Sequence, residues 1–201
     1  MAWDTAKTKR LLLDAAVDEF AAHGPEGARI DRIAAAAGVN KERIYPYFGG
    51  KRQLFAAVVQ RELEQLAAAV PMTEADGRMV DLPEYAGRVF DYHLAHPHLL
   101  RLLQWEALYG DATVPVAGEE RRAAYYAEKV AAVARARRAG AEPTQAGASL
   151  PPEELLYAVV ALAGWQFAVP QLVRMITGGT AAEDPAARRA GVVDMVRRLT
   201  H

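Results

Sequence analysis

Residues 31–55 read DRIAAAAGVNKERIYPYFGGKRQLF, and they combine three short helical patterns with two glycine turns. Ile33 and Ala37 lie about one helical turn apart on an apolar face, and Gly38 can adopt the left-handed conformation that a tight turn requires. Asn40 is a favourable N-cap for the short helix that follows. A helix, a glycine turn and a second short helix in this order predict a helix-turn-helix.

The second helix of this motif, over residues 41–47, is too short to be stable alone. We expect Val39, Ile44 and Phe48 to hold it against neighbouring helices. The remaining side chains then share the exposed surface: Lys41, Glu42, Arg43, Tyr45 and Tyr47. A short, exposed helix with basic and tyrosyl groups suits the major groove of DNA.

Residues on both sides of this motif follow the pattern of a known family. They are Ala15-Ala16, Phe20, Gly24, Ile33-Ala34, Ala37-Gly38-Val39, Tyr45, Tyr47-Phe48, Lys51 and Leu54-Phe55. In these positions the stretch 12–55 resembles the DNA-binding region of the TetR family of transcriptional repressors. The rest of the chain is similar to that family only in its helical layout and length.

The resemblance implies an all-α fold of about nine helices in two domains. Residues 1–50 would form a three-helix helix-turn-helix domain for DNA, and residues 51–201 a larger helical domain for ligand binding and dimerisation. The resemblance further implies a cytoplasmic homodimer that binds double-stranded operator DNA as a repressor. A small hydrophobic effector would then release it from the operator.

The expected DNA contacts are Arg29, Arg32, Asn40, Lys41, Arg43, Tyr45, Tyr47 and Lys51. Lys51 lies in the first turn of a helix, where backbone amides and a lysine together favour a phosphate. Arg43 can make a bidentate contact to guanine. Alternatively, Arg29 and Arg32 are an exposed pair near Asp31, and one of the two tyrosines packs on the first helix.

Five positions depart from the family pattern. Ala28 and Arg29 stand where members usually have Thr and Ser, so the usual N-cap of the second helix is missing. Pro46 stands where members often have His or Arg, which removes one phosphate contact. Glu42 and Arg43 stand where members tend to have small residues. Glu42, Pro46 and the slight charge asymmetry keep an alternative open: an effector-blind helical protein-interaction module, or a small-ligand carrier, that does not bind DNA.

The composition favours helices, because 52% of the 201 residues are hydrophobic, alanine is abundant and β-branched alternation is almost absent. The chain has no cysteine, which excludes disulfides, thiolate metal sites and thiol catalysis. We find no catalytic motif and expect no enzyme. No apolar run approaches a membrane span, and no signal-peptide core is present. The net charge is +2 over residues 1–60 and −2 over residues 71–201.

Apolar periodicity and Pro or Gly boundaries predict the remaining helices. Residues 1–6 are expected to be frayed. One helix is expected to begin near residue 29. The other predicted ranges are 9–23, 51–70, 82–95, 97–109, 119–139, 151–177 and 185–199. Polar or Gly- and Pro-rich connections are expected over residues 72–81, 110–118 and 140–150. Pro170 is expected to kink the helix over 151–177.

The helix over residues 151–177 is apolar on more than one face, which indicates burial on more than one side. The resemblance assigns this helix and the helix over 185–199 to a dimer interface. Small residues such as Ala161 would permit close approach, and the apolar residues expected in the second helix of the interface are Val192, Val193, Val196 and Leu199. The alternative is a central helix of a monomer.

Aromatic residues are concentrated in the second domain and predict an apolar pocket with a few polar groups. The residues predicted to bind the effector are Trp105, Tyr109, Tyr126, Trp165 and Gln166. The alternative is that these side chains simply form the core.

Three histidines, His93, His96 and His98, lie close together near Asp91. Pro97 breaks the helix between the last two, and histidines at a helix C-terminus also complement the helix dipole. We therefore expect no metal site and no cofactor.

Overall fold

The computed structural model describes residues 5–73, 81–110, 116, 118–140, 150–178 and 184–200. Within these ranges the chain forms ten α-helices and one 3₁₀ turn, which confirms the all-α prediction. The lead-in and the three expected connections fall largely outside the described residues.

The helices follow in chain order, and most have bounds close to those expected from the sequence; α1 and the predicted helix over 151–177 differ. They are α1 Thr5–Gly27, α2 Ile30–Ala37, the 3₁₀ turn Lys41–Arg43, α3 Ile44–Phe48, α4 Lys51–Ala69, α5 Leu82–Ala95, α6 Pro97–Tyr109, α7 Glu119–Gly140, α8 Pro152–Ala168, α9 Pro170–Thr177 and α10 Pro185–Thr200. The ranges of α5 and α6 agree with the prediction at both ends.

The first helix is longer than predicted, because it begins at Thr5 and continues after a break at Gly24 to Gly27. Gly24 has φ 66° and ψ 175°, a conformation that is essentially confined to glycine. Pro25 then opens the last turn, where its missing N–H costs nothing. The prediction of a helix end at His23 was therefore right about the break and wrong about the continuation.

The predicted helix over 151–177 is two helices, α8 and α9, which are bent by 93° at their junction. Val169, which precedes Pro170, has φ −133° and ψ 62° and so leaves the helical region. Proline lacks an N–H and disfavours the α conformation in the residue before it. The prediction of a kinked single helix was wrong, since the bend is a complete break.

The chain forms two compact units, of which the first contains the described parts of residues 1–66 and 97–118. Phe20 of α1 and Phe55 of α4 meet edge to face at the centre of its core, with ring centroids 5.1 Å apart. Ile33 of α2, Ile44 of α3 and Leu102 of α6 are fully buried around them. The short helices of the helix-turn-helix are therefore held by burial against longer ones, as their length requires.

The second unit contains the described parts of residues 67–96 and 119–201, with α5 packed against α8 and α10. Phe90 of α5 contacts Phe167 of α8, with ring centroids 5.0 Å apart. Val192 and Val196 of α10 are also fully buried inside this unit. Their predicted place at a subunit interface is therefore wrong, because neighbouring helices of the same chain already cover them.

Across the described helices, none is by itself both long and apolar enough to cross a membrane. The pair α8 and α9 reaches the required length and composition together, in spite of the bend between them.

Candidate nucleic-acid interface

The turn between α2 and the 3₁₀ turn has the backbone geometry that the sequence predicts. Gly38 ends α2 with φ 64°, and the Val39 N–H donates to the carbonyl of Ala34 at 3.0 Å. The side-chain oxygen of Asn40 accepts the Glu42 N–H at 2.9 Å and caps the next helical segment. The conformation of the turn is thus fixed by a glycine at one end and a side-chain cap at the other.

Residues 41–48, which we call the recognition segment, consist of the 3₁₀ turn and α3. Ile44 anchors the segment in the core, while Lys41, Glu42 and Arg43 are exposed and Tyr45 keeps 57% of its surface exposed. The predicted base-reading side chains therefore share the exposed surface of one segment. Such a surface can enter a major groove, where Arg can bond guanine in a bidentate manner.

Lys41 is not isolated within this surface. Its ammonium lies 2.9 Å from the carboxylate of Asp31 in α2, and this hydrogen bond raises the pKa of Lys41. Both side chains are largely exposed, so water competes with the pair and its net contribution to stability is small. Lys41 can therefore exchange Asp31 for a phosphate or a base at little cost.

The tyrosines of the recognition segment have different surroundings. Tyr47 packs partly against the core of the first unit, and the ammonium of Lys9 lies 5.9 Å from the centroid of its ring. Tyr45 is the more exposed of the two. This division matches the alternative in which one tyrosine packs on the first helix and the other remains available.

A carboxylate that sequence reasoning missed occupies the N-terminus of α2. Glu19 of α1 accepts the backbone N–H of Arg29 at 2.8 Å and the guanidinium of Arg32 at 2.6 Å. Burial raises the pKa of Glu19, but these hydrogen bonds outweigh it and the net pKa is lowered. Glu19 thus caps α2 through the N–H of the N-cap residue itself, whereas the Arg29 side chain makes no cap bond, and it holds Arg32 in an ion pair.

Lys51 lies at the start of α4 and bonds the last turn of α1 and the residue that follows it. Its ammonium donates to the carbonyl of Glu26 at 3.0 Å and to that of Ala28 at 3.3 Å. An ammonium has three donors, so one remains for another acceptor. The sequence predicted the position of Lys51 at a helix N-terminus but gave no sign of these two carbonyl partners.

Trp105 and Tyr109, two of the predicted effector contacts, belong to α6 in the first unit. The indole N–H of Trp105 donates to the carbonyl of Ala21 at 3.3 Å, and the two aromatic rings are 5.6 Å apart. An added Cβ at Gly24 would lie 2.8 Å from the Trp105 ring. The indole therefore packs directly on the break in α1.

The other predicted effector contacts belong to the second unit. Tyr126 of α7 lies beside Tyr125, with ring centroids 5.5 Å apart. Trp165 and Gln166 of α8 line a cleft of about 300 Å³ together with residues of α9 and α10, and the amide oxygen of Gln166 accepts the guanidinium of Arg188 at 3.2 Å.

An exposed apolar surface adjoins this cleft. We call it the α8–α10 face, and its large exposed members are Trp165, Leu172, Met175, Ile176, Met195 and Leu199. Trp165 is 60% exposed and Ile176 is 75% exposed. Several large apolar residues exposed on neighbouring helices typically mark an interaction surface.

A buried carboxylate in the first unit was also missed from the sequence. Glu62 of α4 is almost fully buried, and it accepts His98 Nε2 at 2.9 Å and the guanidinium of Arg61 at 2.9 Å. Burial raises its pKa, but the two partners outweigh burial and lower it. The signal available in the sequence was a glutamate on the apolar face of α4.

The histidines, for which no metal site was expected, have different surroundings. His93 is buried, and burial lowers its pKa to about 4, while His96 stacks on Tyr92 with centroids 4.2 Å apart. Over the residues with described positions, no group of three His, Cys, Asp or Glu side chains is arranged to hold a metal ion.

Two family models match the sequence. Residues 12–58 match the bacterial regulatory proteins of the tetR family, and residues 81–198 match the tetracyclin repressor-like C-terminal domain. The first match contains the recognition segment, and the second extends from α5 into α10.

Several known proteins are similar to this chain. The HTH-type transcriptional repressor SCO4008 of Streptomyces coelicolor is 45% identical over 177 residues, which are 88% of this chain and 86% of the relative. The HTH-type transcriptional repressor NicS of Pseudomonas putida is 37% identical over 110 residues, 51% of this chain and 50% of the relative. A crystal structure described as a transcriptional regulator, SCO4942 of Streptomyces coelicolor, is 34% identical and has a TM-score of 0.75, covering 95% of this chain and 97% of that chain.

Proposed function

Because the chain belongs to the TetR family and is a DNA-binding transcriptional regulator rather than an enzyme, we propose that it is a repressor released from its operator by a small hydrophobic effector. The observation that supports this most directly is the recognition segment. Its turn is fixed by Gly38 and Asn40, and Ile44 anchors it, so that its basic side chains stay exposed. In this proposal residues 1–50 bind the operator in the cytoplasm, and residues 51–201 bind the effector and dimerise.

The DNA contacts follow from the arrangement of the side chains. Lys41, Arg43 and Tyr45 would face the major groove, since they are exposed on the recognition segment. Lys51 would bond a phosphate with the donor that Glu26 and Ala28 leave available. Arg29, Arg32, Asn40 and Tyr47 would have mainly positioning roles, through the Glu19 cap, the turn and the core.

Regulators of this family act as dimers, and we propose that the α8–α10 face forms the dimer interface of this one. Trp165, Met175 and Ile176 would become buried, which gives an energetic reason for their exposure in a single chain. Two recognition segments must then lie about one DNA turn, ~34 Å, or a multiple of it apart to enter successive major grooves.

The effector would act through α4, which begins at Lys51 and ends at Ala69. A ligand that favours another spacing of the two recognition segments lowers DNA affinity by its differential affinity for the two states. Because α4 joins residues of the first unit to residues of the second without a break in the helix, it is a continuous covalent route for that change.

A footprint on the DNA upstream of the protein's own coding region tests the proposal. We expect protection of a site with two half-sites related by two-fold symmetry. Arg43→Ala should cost about 1–3 kcal/mol of binding free energy and relax one base position in each half-site. If Arg43→Ala keeps the affinity and the base preference of the parent, Arg43 does not recognise bases. Absence of any protected site would favour the alternative module that does not bind DNA.

A further inference from the structure

Lys129 of α7 is a buried lysine in the second unit. It is only 7% exposed, and its ammonium donates to the hydroxyl of Tyr85 at 2.5 Å. The same ammonium lies 4.8 Å from the centroid of the Tyr85 ring and 4.4 Å from that of Tyr125. The ammonium thus contacts two aromatic rings and one neutral hydroxyl.

No carboxylate among the described residues pairs with Lys129. Its ammonium therefore has donors to spare, and the contacts with the tyrosines offset only part of the cost of burying a charge. Consistently, burial alone lowers the pKa of Lys129 to about 8. A buried cation without an anionic partner is costly for a fold, and such groups are frequently found at binding sites.

Lys129 lines a cleft of about 430 Å³, a size typical of small-molecule sites. Much of the lining is apolar and includes Pro71, Met72 and Ala132. Tyr125 also lines it, and its hydroxyl oxygen is buried without a hydrogen-bond partner. The cleft therefore combines an apolar wall with two polar groups that lack their usual partners.

The charges around the cleft indicate the charge of its ligand. Glu128 and Arg135 line the cleft with opposite formal charges, so with Lys129 the net formal charge of the lining is +1. One cation on an apolar wall suits a monoanion with an apolar body. A phosphate dianion would need further donors or a second free cation.

We propose that this cleft binds an organic monocarboxylate, whose anionic group bonds the ammonium of Lys129 with the Tyr125 hydroxyl as the second donor. The inference rests on the proposed function in one respect, since it takes this carboxylate to be the effector. Ala67, in the last turn of α4, also lines the cleft. A ligand here touches the helix that begins at Lys51.

The test compares carboxylates with neutral molecules of the same shape. Octanoate, benzoate and salicylate are titrated into the full-length protein without DNA, alongside octanamide, benzamide and salicylamide, and binding is measured by calorimetry. We expect at least one carboxylate to bind and its amide to bind at least about tenfold more weakly. The proposal is overturned if no carboxylate of the series binds, or if a carboxylate and its amide bind equally.

Two variants assign the effect to Lys129. Lys129→Met keeps the length of the side chain and removes its charge, whereas Arg138→Met removes a charge from an exposed position on the same helix. We expect Lys129→Met to bind the carboxylate about thirtyfold more weakly or worse, because the buried carboxylate of the ligand loses its cationic partner. Arg138→Met should bind like the parent. Equal carboxylate binding by Lys129→Met and the parent overturns the proposal.

The folding of Lys129→Met is checked by thermal unfolding. Methionine removes a buried charge from an apolar site, so the variant should unfold at the same temperature as the parent or higher. If the variant is as stable as the parent but no longer binds the carboxylate, the loss of binding is caused by the missing ammonium.

Release of DNA, measured by fluorescence anisotropy, distinguishes a failure of this inference from a failure of the proposed function. A carboxylate that binds through Lys129 but leaves the operator complex intact supports the site and contradicts the effector response. A neutral hydrophobic molecule that releases the operator, while no carboxylate binds, supports the response and overturns the site.

Discussion

Glu19 of α1 accepts the backbone N–H of Arg29 at 2.8 Å, and this contact joins the first helix to the start of the second. The same carboxylate binds Arg32. An N-cap normally comes from a side chain next to the helix, whereas here it comes from ten residues earlier. The position of α2, and of the recognition segment after it, therefore depends on a carboxylate in α1.

Replacing this carboxylate should weaken both the fold and DNA binding. We expect Glu19→Ala to lower the free energy of unfolding by about 1 kcal/mol, the usual cost of a lost cap, and to reduce operator affinity as well. Urea unfolding and fluorescence anisotropy measure the two effects. Asp18→Ala, which removes a neighbouring exposed carboxylate, is the control and should change stability little. Equal stability of Glu19→Ala and the parent would show that water replaces this cap.

Gly24 should not tolerate a side chain. Its φ of 66° with ψ of 175° costs a non-glycine residue about 1–3 kcal/mol, and a Cβ there would lie 2.8 Å from Trp105. We expect Gly24→Ala to lower the melting temperature strongly and to shift the fluorescence of Trp105. Gly27→Ala is the matched control, because its Cβ would meet its nearest neighbour only at 3.4 Å. Equal melting temperatures of the two variants would contradict the strained break in α1.

Lys51 should contribute to stability and to DNA binding at once. Lys51→Ala removes the bonds to the carbonyls of Glu26 and Ala28, so we expect a lower melting temperature. It should also weaken all duplexes alike and reduce the slope of log affinity against log salt by about one. Arg52→Ala removes the same charge at the next residue and should leave the melting temperature unchanged. A normal salt slope in Lys51→Ala would restrict Lys51 to its structural bonds.

The sequence predicted those parts of the fold whose signals are local. The bounds of α5 and α6 follow from Pro83, Pro97 and the break at His96, and the turn at Gly38 follows from residues within a few positions. The break at Pro170 was underestimated, because proline shows where a helix is weakened but not how far the chain turns there.

The candidate site was predictable only in part, for a related reason. Its exposed residues, such as Arg43 and Tyr45, belong to one short segment and could be named from its pattern. Glu19 and Lys129 could not, because their roles depend on partners in other helices. Likewise, periodicity placed Val196 on the apolar face of its helix, but it did not reveal whether the same chain or a second subunit covers that face.

The proposed dimer can be tested with variants that separate association from folding. Ile176 is exposed on the α8–α10 face, whereas Val196 is fully buried within the second unit. We expect Ile176→Arg to give a folded monomer in sedimentation and Val196→Arg to lose helical structure, because it buries an unpaired charge. Leu108→Arg, at an exposed position in α6, should remain a folded dimer. A dimeric Ile176→Arg would place the subunit contact on another surface.

The stability of the protein should rise with pH above about 8, and Lys129 is the reason. Its pKa is about 8 in the folded chain and ordinarily 10.5, so between these values the unfolded chain binds the additional proton. A state that binds more protons becomes less favourable as pH rises, and the free energy of unfolding therefore increases. Tyr85 and Tyr125 oppose this above about pH 10, since burial raises the pKa of Tyr125 to about 12 and raises that of Tyr85 further. Urea unfolding from pH 7 to 10 measures how the free energy of unfolding changes with pH. Lys129→Met should remove this increase, and Arg138→Met should keep it. The same increase in Lys129→Met and the parent would mean that Lys129 is charged in the folded protein throughout this range.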